Sequence, residues 1–143
     1  MYGREESFMD IQLTYHSKMN CSFSDVDTVI KQARHNNLLI GITGILIVYL
    51  DNFIQILEGD RTKVNQLYHK IYNDTRHEAC ELISVSEIDA RRFDKWSMNF
   101  VDIANLMNMK ALNTLLTKIE NGDINSQLVA DLSTICLYNE DIM

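Results

Sequence analysis

The sequence has no proline, three cysteines, five glycines and a single tryptophan. For the missing proline the pattern offers no reason. The few cysteines say more. Cys21, Cys80 and Cys136 are scattered, odd in number and without the close spacing of metal ligands, so neither a zinc site nor a disulfide framework is expected. They read as reduced thiols of a cytoplasmic protein. His16, His35, His69 and His77 form no metal pattern either. A basic cluster is also missing. The net charge is −7, and no stripe of Lys and Arg is present to neutralise phosphates, which argues against nucleic acid as a partner. No apolar run approaches the roughly 20 residues of a membrane helix. The opening stretch, MYGREESFMD, is charged and polar and is not expected to be a secretory leader. There is no P-loop and no G-x-G-x-x-G, and His16 beside Ser17 lacks the carboxylate of a triad. An enzymatic activity of its own is not expected.

What is present suits one compact domain with a small appendage: 143 residues, 46% of them hydrophobic. Residues 1–8 read as a loose tail. Residues 10–15, DIQLTY, alternate, with Ile11, Leu13 and Tyr15 on one face of a strand. Ser24 is the expected cap of a helix whose apolar face runs through Val26, Val29, Ile30 and Ala33 and on to Asn36 and Asn37. GITG, residues 41–44, breaks it. ILIVYL, residues 45–50, is apolar and β-branched, the signature of a central strand. Asp51-Asn52 reads as the hairpin link into a return strand, FIQILE. Asp60 caps a second helix with Val64, Leu67, Tyr68 and Ile71 inward. DTRH, residues 74–77, is expected to close that helix with two basic groups at its negative end. Residues 80–88 make a further strand, ARRFDK a solvated corner at Arg91-Arg92, and residues 96–101 a fifth strand with Trp96, Met98 and Phe100 on one face. Stripes Met109/Leu112/Leu116/Ile119 and Ile124/Leu128/Leu132/Ile135 mark a helical pair. Met107 and Met109 are assigned to core, and the terminal NEDIM to a frayed end. The fold class is therefore α+β: a ferredoxin-like βαββαβ core with an added fifth strand, followed by a C-terminal helical pair.

Three polar residues break the apolar pattern. Tyr15 is on the buried face of the first strand, Asn37 continues the buried face of the first helix, and Gln55 sits inside FIQILEG. A buried carboxamide without partners costs about 1–3 kcal/mol. Singly, each has an ordinary explanation as a rim hydroxyl, a helix cap or an edge residue. Together they point to a polar ligand edge inside the domain. Gln and Asn amides each offer a donor and an acceptor, which matches a planar heterocycle with adjacent C=O and N–H groups.

The ordered pieces YHS, ARHNN, GITGIL, FIQILEG, DTRH and RRFDKWSM resemble the BLUF family of flavin-using blue-light sensors, over about residues 10–102. The resemblance implies a photosensor domain over residues 9–102 and a C-terminal helical extension over residues 103–143 for output or oligomer contact. It implies a flavin ring between the two helices, FAD by the family's habit, with FMN or riboflavin open. By position, Asn37 would bind the C4=O and N3–H edge, Gln55 would stand between the ring and Tyr15, and Val29 and Ile71 would flank the ring faces. Asn36, Lys70, Asp74, Arg76 and His77 would line the remaining pocket, with Lys70 near the phosphates. Trp96 and Met98 would report the switch to the last strand. Tyr15 would give an electron and a proton to the excited flavin. Gln55 would rotate or tautomerise, shift the absorption slightly to the red, and reset in the dark. A separate, unidentified partner protein would read repacking of residues 103–138, and a homo-oligomer is expected. The alternative is a ferredoxin-like regulatory interaction domain without photoactivity.

Overall fold

The computed structural model describes residues 9–103 and 110–138. The tail at 1–8, Met107 and Met109, and NEDIM lie outside them. Along the chain come β1 (Asp10–Met19), α1 (Phe23–Ile40), β2 (Thr43–Tyr49), β3 (Asn52–Asp60), α2 (Arg61–Tyr72), β4 (His77–Ile88), β5 (Asn99–Asp102), α3 (Lys110–Glu120) and α4 (Ser126–Tyr138). The five strands form one sheet in the order β4-β1-β3-β2-β5. The first four strands are antiparallel in the ferredoxin-like arrangement, and β5 joins the β2 edge in parallel. The expected fold class, helical pair included, is the observed one.

Two cores explain why β2 and β3 are buried almost throughout: both of their faces are covered. On one face, Ile11, Leu13 and Tyr15 of β1 and Phe53 and Leu57 of β3 pack against Val26 and Ile30 of α1 and Val64 of α2. On the other, Ile45, Ile47, Ile54 and Ile56 pack against Leu112, Leu116, Leu128 and Leu132 of α3 and α4. The two helical stripes therefore cover the chain's own sheet. A homo-oligomer would have to use another surface. Gly44 of β2 leaves no room for a side chain against β3: a Cβ there would stand 2.0 Å from the Ile56 carbonyl oxygen. On the outer edge, β4 carries Glu78, Glu81 and Glu87, exposed charges of the kind that discourage edge pairing.

Several local expectations are corrected. Ser22, rather than Ser24, caps α1, because its hydroxyl accepts from Asp25 N while Asp25 reaches back to Ser22 N in a capping box. The hairpin turn is at Leu50-Asp51, with Leu50 at φ 55°, so Asn52 already belongs to β3. Arg76 and His77 do not close α2. The helix ends at Tyr72 and His77 opens β4. Trp96 and Met98 precede β5 rather than belonging to it, and they do not share a face. Trp96 packs on the α3/α4 side, whereas Met98 and Phe100 are on the α1/α2 side. The alternating pattern fails here because Phe93 O accepts from Trp96 N in a turn, at 3.1 Å. Finally, the corner at Arg91 and Arg92 is only partly solvated: Arg92 is exposed as expected, whereas Arg91 is half-buried. Arg91 binds Asp10 Oδ2 at 2.8 Å and the Gly41 carbonyl at 2.7 Å, and Arg92 binds Ser133 of α4 at 3.0 Å.

Candidate functional site

A cavity of about 220 Å³ opens between α1 and α2 above the middle of the sheet. Its floor comes from β1, β2 and β3 through Tyr15, Leu46, Phe53 and Gln55. The strands place these side chains by alternation and pairing: Tyr15 stands opposite Gln55 across β1 and β3, and Gln55 opposite Leu46 across β3 and β2. α1 contributes Val29 and Asn37, one face of a helix read at i, i+8. α2 contributes Lys70 and Ile71, the turn after it adds Asp74 and Arg76, and His77 comes from the start of β4. Asn36 completes the rim on α1. All nine residues proposed from sequence to hold a cofactor line this one cavity, together with Tyr15.

The polar groups are arranged in a relay. The Tyr15 hydroxyl donates to Gln55 Oε1. Gln55 Nε2 in turn donates to Met98 Sδ at 3.2 Å. Asn37, 1% exposed, gives one amide hydrogen to the Ser97 carbonyl at 2.9 Å, which leaves its other donor and its acceptor for the cavity. Met98 therefore touches Gln55, whereas Trp96 stacks on Phe93 across the sheet. Burial pushes the Tyr15 phenol well above its ordinary pKa, and the nearby Cys80, Tyr68 and Asp74 add to the effect. Tyr15 is thus a neutral phenol at pH 7, with a proton to give.

The rim is held by its own bonds. Arg76 Nε donates to Asp74 Oδ1 at 2.9 Å, and this hydrogen-bonded guanidinium holds the Asp74 carboxyl below the usual range. His77 Nε2 meets the Ile71 carbonyl, so that nitrogen carries the proton, and Nδ1 meets Ser17 Oγ at 2.7 Å.

Reading by sequence missed Cys21, Ile30, Gln32, Ala33, Leu46, Phe53 and Leu67 as cavity residues. Ile30 and Ala33 lie on the helical face already recognised, and Phe53 precedes Gln55 by one strand repeat, so periodicity could have supplied them. Ser17 and Glu58 gave no signal, since each is a polar residue whose burial depends on distant partners.

The cavity suits a planar heterocycle: apolar walls from two helices, a carboxamide pair at one end, and Lys70 and Arg76 at the rim. The family model described as sensors of blue light using FAD, BLUF, matches residues 11–99. The chain belongs to the BLUF family. BLUF domains bind flavin, and the domain itself is a sensor. Among solved structures, the dark state of BlrB, a BLUF protein, is 32% identical with a TM-score of 0.74, covering 88% of this chain and 93% of that one. The ground state of BlsA is 29% identical with a TM-score of 0.71, covering 88% and 86%. The photoactivated adenylate cyclase subunit alpha of Euglena gracilis is 31% identical over 83 residues, 58% of this chain. This BLUF chain spans only 8% of that cyclase subunit's length. Among the described residues, no helix is long and apolar enough to cross a membrane, and no cluster of side chains suits a metal.

Proposed function

We propose that this BLUF chain is a blue-light switch whose output is read by a separate protein, with residues 9–102 as sensor and residues 103–143 as output element. The observation that carries the reading is the Tyr15–Gln55–Met98 relay in the wall of a cavity that also presents Asn37. Flavin bound there supplies blue absorption and, once excited, a demand for an electron and a proton.

The chain's own residues do the rest. Val29 and Ile71 hold the flat faces, and Asn37 holds the polar edge with its free donor and acceptor. Lys70 provides positive charge at the rim for phosphates, which favours FAD or FMN over riboflavin, and the family's description favours FAD. Tyr15 is buried and neutral; it would lend its electron and phenolic proton to the excited ring and take both back once Gln55 has exchanged, so that no net oxidation remains. Gln55 takes part because its two ends differ: exchanging oxygen for nitrogen, by rotation or tautomerisation, reverses which neighbour it donates to without moving β3. That exchange releases Met98 and places a new donor on the ligand side. A slight red shift in absorption follows, and the reverse exchange resets the site in the dark.

The unpaired Cys21, Cys80 and Cys136 support a reducing compartment, the cytoplasm. The relatives' printed names, a cyclase subunit among them, support an effector that reads the sensor. The test is to release the cofactor from purified protein by heat and identify it by chromatography, then compare limited proteolysis of residues 103–143 in darkness and under blue light. FAD and a light-dependent cleavage pattern are expected. A protein that takes up no flavin on reconstitution would leave the reading of a light-insensitive interaction domain.

A further inference from the structure

The loop from 89 to 98, between β4 and β5, runs from one face of the sheet to the other. Phe93, 1% exposed, is in the core under α3 and α4, where Trp96 stacks on it at 5.8 Å between ring centroids. Met98 lies in the opposite core, against Gln55. A crossing segment without a strand ladder needs other partners for its backbone. Glu58 supplies them. It is fully buried, at 0% exposure, and its oxygens accept from Phe93 N at 2.8 Å, Arg92 N at 3.1 Å and Gln12 Nε2 at 2.9 Å. Burying an acidic side chain is costly unless its hydrogen bonds are complete, and an apolar residue would fill the space more cheaply. Its presence here marks a fixed point for the loop.

Arg92 carries the connection outward. Its backbone is held by Glu58, its guanidinium carbon stands 5.7 Å from the Phe93 ring centroid, and its Nη1 donates to Ser133 Oγ at 3.0 Å. Ser133 is itself 0% exposed within α4. At the other end, Ser97 O accepts from the cavity residue Asn37, and Met98 O accepts from Arg34 Nε of the same helix at 2.8 Å, so α1 grips the loop directly.

We propose that Glu58 and Arg92 are positioning residues that make this loop a bar between the photoswitch and α4: Glu58 fixes its middle, Gln55 acts on Met98 at one end, and Arg92 moves Ser133 at the other. The inference rests on the sensor reading above and names its output route. Gln55 and Glu58 belong to the same strand but face opposite sides of the sheet, so a change at Gln55 that leaves β3 in place still tilts the loop about Glu58. The displacement then reaches α4 through a side chain rather than through the backbone of β5 alone.

The experiment is hydrogen exchange of the full, flavin-loaded chain in darkness and under blue light, with absorption recorded on the same samples, for wild type, Glu58→Gln and Arg92→Met. Wild type is expected to change exchange in residues 126–138 on illumination. Both variants are expected to keep the absorption shift and to lose at least two-thirds of the light-driven change in α4. Glu58→Gln should also speed dark exchange at Arg92 and Phe93. Arg92→Met removes only the polar contacts of an exposed side chain, and it decides the matter if Glu58→Gln fails to fold. An α4 response equal to wild type in Arg92→Met would overturn the proposal, as would an α4 that ignores light in wild type. Loss of the absorption shift in a variant that retains flavin would overturn it too, because the residue would then shape the cavity. A wild type that binds flavin but shows no absorption shift would instead remove the sensor reading itself.

Discussion

Tyr15 and Gln55 face each other across β1 and β3, and the Tyr15 hydroxyl donates to the Gln55 oxygen inside the protein. The pairing is set by strand register. Replacing Tyr15 with Phe keeps the ring's packing and removes only the donor. The expected outcome is retained flavin, no reversible red shift, and a loss of about 1–3 kcal/mol of stability from the unsatisfied Gln55 oxygen. Difference spectroscopy and urea unfolding check the two parts separately.

Asn37 ties the cavity to Ser97 and offers the rest of its amide inward. Asn37→Ala removes both. A lost hydrogen bond to ligand of about 1–1.5 kcal/mol corresponds to roughly tenfold weaker binding. Flavin titration of the apoprotein should show at least that loss, and an unchanged affinity would move the ligand's polar edge elsewhere.

Burial raises the Tyr15 pKa, with the neighbouring Cys80, Tyr68 and Asp74 reinforcing it. Below the ordinary tyrosine value of about 10, folded and unfolded chains bind this proton equally and it adds no pH dependence. Above about 10, the unfolded chain releases the proton while the folded chain keeps it, so stability falls by up to about 1.4 kcal/mol per pH unit for this group. The amplitude of the red shift should accordingly be flat from about pH 6 to 10 and then fall with the fold. Amplitude and unfolding midpoint measured across that range check it. A spectroscopic midpoint below about pH 9 that tracks Tyr15 would contradict the buried, neutral phenol.

Leu132 is 0% exposed in the core between α4 and the sheet. Leu132→Ala should cost about 2–5 kcal/mol, the range for a large buried side chain reduced to Ala. Thermal unfolding should remain a single transition, since α3 and α4 share one core with β2 and β3. A variant of wild-type stability would mean that the helical pair is not part of the folded unit.

Much of this was legible in the chain itself, for physical reasons. Tyr15, Asn37 and Gln55 interrupt apolar patterns whose period is unambiguous, so their burial could be inferred without partners. β2 and β3 are apolar on both faces, which announces layers on each side of the sheet. Trp96 and Met98 were harder, because W-S-M-N-F alternates like a strand although a turn from Phe93 sends the two side chains into different cores. Ser22 and Ser24 are interchangeable as caps until the reciprocal bond with Asp25 is seen. Glu58 was invisible: an acidic residue before Gly59 at the end of a strand reads as solvated, and only the return of Arg92 and Phe93 from far along the chain buries it.

The measurement that tests the central claim most directly is the absorption spectrum of the purified, flavin-loaded chain before and after a blue pulse, with Gln55→Leu alongside. A slight red shift that recovers in darkness in wild type, and is absent in a Gln55→Leu variant that still holds flavin, is the predicted result. A wild-type band that only bleaches, or an unchanged shift in Gln55→Leu, would contradict a switch built on the Gln55 amide.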